Sequence, residues 1–169
     1  SYAWKWNIEI SNQASHGFEL DLVYFQEIGL KNAHEGLVNE YYVSQYLERM
    51  VLQDAEHGAV IACRQNNKEA TGHPWLMLAS LKTASTGLTD GIQFYGNSHR
   101  ATGKPIALAQ KYFSGNKAGE SPLVAIQEKP FVLNPNQKKK VEFVGVFLPN
   151  HPEATSDKDL NGLKKVKEE

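Results

Sequence analysis

The chain has 169 residues, a length that indicates one domain. Hydrophobic residues make up 41% of it and charged residues 22%, which is a globular composition and excludes an intrinsically disordered chain. Because the formal net charge is −1, the charge balance does not draw the chain to nucleic acid or to an anionic membrane.

Residues 2–11, YAWKWNIEIS, alternate strictly between two kinds of side chain. Alternation with a period of two is typical of a half-buried β-strand. Tyr2, Trp4 and Trp6 therefore share one face. We interpret this face as the inward face of a sheet, because aromatic side chains bury large areas. An exposed aromatic platform for a sugar or a protein is the alternative interpretation.

A second strand is predicted over residues 18–25, FELDLVYF, which also alternate. Apolar residues in the next stretch recur at helical spacing with one phase slip. This spacing predicts a helical insert near residues 39–53, with a looser part before it. If the insert docks on a partner, its exposed face should carry Tyr41, Tyr42 and Tyr46.

Short apolar runs separated by turn residues follow the predicted helix. They lie at residues 58–64, 75–82, 91–96, 105–113, 123–127, 130–133 and 138–149. Several short strands at regular spacing predict a sandwich or a barrel. The predicted fold is therefore mainly β, a two-sheet β-sandwich with one helical insert near residues 39–53. We expect one globular domain over residues 1–149 and a flexible charged tail over residues 150–169.

No local motif announces a catalytic centre or a metal site. The six histidines form no HxH, HxxH or HExxH pair, so no metal or cofactor is predicted. Cys63 lies in an apolar run, where a cysteine is usually an inert core residue. A hydrolase with a site assembled across loops is an alternative. Its candidate residues are Asp54, Glu56, His73 and His99, although the first two also fit a solvated turn.

Lysines and aromatic residues provide two candidate binding surfaces. Lys138, Lys139 and Lys140 precede the last predicted strand, where they either discourage edge pairing or dock an acidic partner. Together with the three tyrosines of the insert, they are the predicted partner-binding residues. A carbohydrate-binding or small-ligand-binding module is the alternative function. It would use exposed aromatic side chains from the set Tyr2, Trp4, Trp6, Trp75, Phe94 and Tyr95.

Residues 128–150, EKPFVLNPNQKKKVEFVGVFLPN, combine an apolar strand, an Asn-Pro turn and a second strand ending in VGVFLP. Residues 18–27, FELDLVYFQE, form an early strand ahead of the helical insert. This layout resembles the small outer-membrane lipoprotein of bacterial type VI secretion systems. The resemblance implies a transthyretin-type two-sheet sandwich that tethers a protein partner in the cell envelope.

We therefore expect a non-enzymatic binding or assembly protein of a bacterial envelope or secretion apparatus, which docks a protein partner and binds no nucleic acid. The chain begins at Ser1, which fits a removed signal or lipid-attachment region and equally a cleaved tag. The expected location is the periplasm or the outer membrane, with a lipid anchor upstream of Ser1, and a cytoplasmic location stays open. No apolar run approaches the ~18 residues of a membrane span.

Overall fold

The structure, a computed structural model, describes residues 2–38, 40–82, 84–119 and 121–166. Among the described residues, strands outnumber helices by a wide margin, so the predicted mainly β class is confirmed. The strands are β1 (Tyr2–Ser11), β2 (Phe18–Leu20), β3 (Val23–Glu27), β4 (Leu47–Asp54), β5 (Gly58–Gln65), β6 (Trp75–Ser80), β7 (Ala84–Asp90), β8 (Pro122–Glu128), β9 (Phe131–Leu133) and β10 (Lys138–Leu148). The α-helices are α1 (Ala33–Val38), α2 (Glu40–Gln45), α3 (Gly91–Tyr95), α4 (His99–Thr102) and α5 (Asn161–Val166).

Most of the strands belong to one curled, open sheet. Its order is β1-β10-β6-β5-β7-β8-β3, and β4 pairs with β5 beside this path. The strand pairs are antiparallel except that between β5 and β7. Strands β2 and β9 form a second, two-stranded sheet. The predicted packing of two sheets into a sandwich is not confirmed.

The parallel pairing of β5 with β7 rests on one residue pair, Gly58 with Ala84. The backbone N–H of Ala84 donates to the carbonyl of His57 at 2.9 Å. Gly58 has a φ of +70°, and a Cβ at this position would lie 2.1 Å from the Ala84 carbonyl oxygen. Glycine therefore serves two purposes here, a left-handed backbone conformation and a close backbone approach.

Both faces of the sheet are buried around β5. Ile61 and Cys63 point to the inside of the curl, where they join Phe143 of β10 and Ile126 of β8 in one core. The alternate residues of β5 point to the outer face and join a second core that includes Leu163 of α5. A third cluster packs α3 and the 3-10 helix Ile106–Ala109 against β7 and β8. Burial on both faces explains why β5 is an almost continuous apolar run.

The helix predicted near residues 39–53 is wrong in its second half. Helix α2 ends at Gln45, and residues 47–54 form β4, which pairs along its length with β5. Leu47 and Val51 contribute to the inner core, whereas Met50 and Leu52 contribute to the outer core. A strand buried on both faces presents apolar residues at spacings of three and four, and these spacings mimic a helical stripe.

Two predicted strands are helical. Residues 91–96 contain α3 because the carboxylate of Asp90 accepts a hydrogen bond from the backbone N–H of Gln93 at 3.1 Å, which caps the helix. Residues 105–113 contain the 3-10 helix Ile106–Ala109. Both segments are too short for periodicity to separate a strand from a helix.

Part of the predicted tail packs on the outer face of the sheet. The guanidinium of Arg64 donates to the carbonyl oxygens of His151 and Pro152 at 2.8 and 3.0 Å. The His151 ring stacks on Trp75 with ring centroids 5.0 Å apart. Leu163 of α5 is 2% exposed. Residues 151–163 therefore cover apolar surface of the outer core, and the domain boundary at residue 149 stays a prediction.

A comparison of two glycine substitutions tests the Gly58–Ala84 pairing. Gly58 and Gly103 both have positive φ, but only Gly58 would bring a new Cβ onto a neighbouring backbone, since nothing lies within 4 Å of the Gly103 position. Gly103→Ala should cost about 1 kcal/mol of unfolding free energy from backbone strain. Gly58→Ala should cost about 3 kcal/mol or more. Urea unfolding measures both, and equal losses would contradict the role of the close approach.

Candidate functional site

Helices α1 and α2 expose an apolar surface. Leu37 is 88% exposed and Val38 70%, while Tyr42 and Tyr46 are also exposed. The rings of Tyr42 and Tyr46 contact each other with centroids 4.9 Å apart. We call Leu37, Val38, Tyr42 and Tyr46 the docking surface. The side chain of Tyr41, the third predicted tyrosine, lies outside the described part of the structure.

The start of α1 is tied to the body of the protein by two ion pairs of one buried lysine. The Lys31 side chain is 4% exposed, and its ammonium lies 2.9 Å from the Glu35 carboxylate and 2.6 Å from the Glu69 carboxylate. Glu35 belongs to α1, whereas Glu69 belongs to the loop between β5 and β6. At the other end of the segment, the Gln65 amide donates to the Val43 carbonyl at 3.2 Å. The docking surface therefore stands on a segment anchored at both ends.

The three predicted lysines contact residues of this chain. Lys138 pairs with the Glu9 carboxylate at 2.8 Å, and its hydrogen bond lowers the pKa of Glu9. The ammonium of Lys139 lies 4.5 Å from the ring centroid of Phe131. Lys140 lies opposite Glu9 in the strand register. These contacts favour the interpretation that the lysines stabilise the edge of the sheet.

The lysines and the docking surface lie at opposite ends of the sheet. Tyr46 precedes Leu47, which lies opposite Gln65 at the end of β5. Next to Gln65, Arg64 pairs with Trp75 of β6, and Trp75 pairs with Leu148, the last residue of β10. Lys138 is the first residue of this strand, which has 11 residues and spans roughly 34 Å. The structure therefore does not bring the predicted tyrosines and lysines into one patch.

The candidate hydrolase residues occupy three separate parts of the fold. Asp54 ends β4, and its carboxylate accepts from the backbone N–H groups of Glu56 and His57, both at 2.9 Å. A ring nitrogen of His73 lies 3.1 Å from the Gln65 carbonyl oxygen, between β5 and β6. The His99 ring packs on Tyr95 with centroids 4.6 Å apart. These contacts match a structured turn and two packed rings rather than one acid–base site.

The described residues contain no group of three or more His, Cys, Asp or Glu side chains that could hold a metal ion. Burial raises the pKa of the Cys63 thiol, so the described core keeps this cysteine in the poorly nucleophilic protonated form. Within the described part of the chain, no helix is both long and apolar enough to span a membrane.

Glu128 is a buried carboxyl group at the end of β8. Burial raises its pKa, while the hydrogen bond from the Ser80 hydroxyl acts in the opposite direction. The Ser80 hydroxyl also accepts the backbone N–H of Lys82 at 3.0 Å. A perturbed carboxyl group often marks a functional site. Here the partner of the Glu128 carboxyl group is the Ser80 hydroxyl, which also contacts the backbone of Lys82. Such a local contact is typical of a buried structural group.

The predicted aromatic set divides between the core and the surface. Phe94 and Trp75 are buried, and the Trp75 N–H donates to the Thr155 hydroxyl at 3.3 Å. Trp4 and Ile8 pack against the inner core. Tyr2 and Trp6, on the same strand face, are largely exposed. The aromatic face of β1 is therefore partly buried, as the first interpretation predicts, and partly exposed, as the alternative predicts. The reason is that β1 is an edge strand and only part of its inward face is covered.

Four side chains gather where the two edge strands β1 and β3 face each other. The Trp6 indole lies close to the Tyr24 hydroxyl, and this hydroxyl donates to the Gln26 amide oxygen. The Tyr24 ring lies 5.3 Å from that of Phe143, centroid to centroid. Trp4 lies beside Trp6 on the same strand face. We call Trp4, Trp6, Tyr24 and Gln26 the edge cluster.

Sequence reasoning missed Gln26 and the exposure of Leu37 and Val38. Gln26 follows Leu22 and Tyr24 at spacings of two residues, so it lies on the same face as they do. A polar residue on this otherwise apolar face is the sequence signal that could have identified it. Leu37 lies in the looser part that the sequence predicts before the helical insert. Its exposure follows from where α1 ends, which spacing alone does not determine.

A protein-family model described as SOGP N-terminal domain matches residues 1–145. The chain is also similar to the 1,2-beta-oligoglucan phosphorylase of Listeria innocua serovar 6a, with 32% identity over 93 residues. The aligned segment is 55% of this chain and 8% of that enzyme, so the similarity spans a small part of the relative's length. Neither comparison supports the resemblance to the type VI secretion lipoprotein.

Replacing Glu128 tests the effect of its burial. Because its folded pKa lies above the unfolded value, the charged form destabilises the folded state at pH 7. This cost disappears as the pH falls through the folded pKa toward the unfolded value of about 4.3. Glu128→Gln should therefore be more stable than the wild type at pH 7, and this advantage should shrink at pH 5.

Urea unfolding at the two pH values measures this difference. Ser80→Ala removes the hydroxyl that lowers the Glu128 pKa, so in that variant the loss of stability with rising pH should continue to a higher pH than in the wild type. A Glu128→Gln advantage that is the same at both pH values would contradict a titrating Glu128.

Proposed function

Because the chain belongs to the SOGP N-terminal domain family, we propose that it is a non-enzymatic domain that docks on the rest of an enzyme acting on a 1,2-beta-oligoglucan. The similar protein of Listeria innocua serovar 6a is a 1,2-beta-oligoglucan phosphorylase, and its aligned segment is 8% of its length. A segment of this size leaves most of such an enzyme available to contact this domain.

The docking surface is the observation that carries the proposal. Its four side chains lie within ten residues of the chain, on α1, on α2 and directly after α2, and Leu37 and Val38 expose most of their surface. Exposed apolar side chains that are clustered rather than scattered mark interaction sites, because their burial against a partner is favourable. The ion pair of Lys31 with Glu35 and Glu69 holds the segment in place before binding. This anchoring lowers the entropic cost of association.

The placement of the titratable residues supports a non-enzymatic role. Asp54 holds the β4–β5 turn, His73 contacts a backbone carbonyl, and Glu128 contacts Ser80. Each of these contacts is accounted for by local structure. A hydrolase site across loops and an envelope location with a lipid anchor stay predictions.

An activity assay tests the enzyme assignment. Protein purified from its native cells should break down a short 1,2-beta-oligoglucan in a phosphate-dependent reaction. The isolated chain of residues 1–169 should not, since the proposal assigns the reaction to the rest of the enzyme. Turnover by the isolated chain would overturn the non-enzymatic role. Absence of turnover by the native material would overturn the link to this glucan.

Hydrogen exchange tests the docking surface. The amides of α1 and α2 should exchange at least about tenfold more slowly in the native material than in the isolated chain, because a partner covers them. Tyr46→Asp should abolish this difference, since it places a charge in an apolar contact. Tyr112→Asp is the matched control, because Tyr112 is an exposed tyrosine outside the docking surface. Equal exchange rates in both wild-type samples would rule out docking through α1 and α2.

A further inference from the structure

The edge cluster has the properties of a sugar-binding site. We propose that Trp4, Trp6, Tyr24 and Gln26 bind a segment of an uncharged β-linked glucan at the open side of the curled sheet. The chemical class of the ligand follows from the side chains, whereas the β linkage rests on the proposed function. The site is separate from the docking surface, which lies on α1 and α2.

Trp6 is an exposed ring that is supported by a neighbouring side chain. Its side chain is 55% exposed, yet the indole lies close to the Tyr24 hydroxyl, which donates to Gln26. Tyr24 is itself held by its contact with Phe143 in the inner core. A ring fixed before binding loses little conformational entropy when a ligand stacks on it. Flat exposed rings suit the C–H faces of a β-glucose unit, whose hydroxyls all point outward from the ring edge.

Gly145 positions the second ring of the cluster. It lies opposite Trp4 in the strand register, and a Cβ at this position would lie 2.3 Å from an atom of the indole ring. The missing side chain lets the Trp4 ring lie directly against the backbone of β10. Trp4 and Trp6 are then adjacent rings on one strand face, about 7 Å apart along the strand. The exposed Trp6 and the half-buried Trp4 extend along the strand, which fits a chain of sugar units better than a single small molecule.

The polar groups of the site match an uncharged ligand. The four side chains of the edge cluster carry no charge, and Gln26 has an amide N–H2 group that can donate to sugar hydroxyls. Strands β1 and β3 are the two ends of the described sheet order. Their outer edges therefore present backbone N–H and C=O groups that are not paired with another described strand. Neutral donors and acceptors beside exposed rings complement hydroxyl groups better than they complement an ionic partner.

Titration calorimetry of the isolated chain with a short linear 1,2-beta-oligoglucan tests the site. The wild type should bind with a Kd of roughly 0.1–1 mM, the range of a small, shallow contact. Trp6→Ala should weaken binding at least about tenfold. Tyr24→Phe keeps the ring but removes the hydroxyl that lies beside Trp6 and holds Gln26, so it should weaken binding by a smaller factor. Tyr112→Ala, which removes an exposed ring elsewhere, should bind like the wild type.

Thermal unfolding of each variant separates lost binding from lost structure. Trp6→Ala should melt close to the wild type because most of its side chain is exposed. No binding by the wild type at millimolar glucan, or equal binding by Trp6→Ala, would overturn the proposal. The titration does not depend on glucan breakdown, so it tests glucan binding separately from the proposed function. The isolated chain can fail to bind the glucan while the native protein keeps its phosphate-dependent activity, and the chain can bind the glucan while the native protein is inactive.

Discussion

The parallel pairing of Gly58 with Ala84 joins the two halves of the main sheet. On one side lie β1, β10, β6, β5 and β4, and on the other lie β7, β8 and β3. Strand β4 pairs with β5 along its whole length, whereas β7 approaches β5 only where β5 begins. The second half of the sheet is thereby free to turn away from the first. This turn is what brings the edge strands β1 and β3 to face each other across the inner core.

The candidate binding surfaces follow from this architecture. The central strands are buried on both faces, so their side chains stabilise the fold and are not available to ligands. Exposed apolar and aromatic groups remain where the sheet ends or where the chain leaves it. The edge cluster lies at the strand edges, and the docking surface lies on the excursion between β3 and β4. Binding groups placed on a rigid scaffold in this way need little reorganisation when a partner arrives.

The family and the two surfaces give a consistent functional proposal. A domain that docks on a glucan-acting enzyme through α1 and α2 and holds a stretch of the glucan at its open edge would keep the polymer close to the reaction centre. Tethering of this kind raises the effective concentration of the substrate without any catalytic residue in the domain. The buried titratable groups, such as Glu128 with Ser80, then belong to the fold rather than to chemistry.

The sequence by itself determined the β-rich class and the first strand, because a period of two along Tyr2–Ser11 has one structural interpretation. It did not separate β4 from a helix, since a strand buried on both faces repeats its apolar residues at helical spacings. It predicted some residues of both candidate surfaces, namely Trp4, Trp6, Tyr42 and Tyr46. It did not predict Gln26, Leu37 or Val38 as members of these surfaces. Only the tertiary structure decided which rings are exposed, that Lys138 faces Glu9, and that Trp6 of β1 lies close to Tyr24 of β3. Those facts depend on pairings between residues far apart in the chain, which local periodicity does not encode.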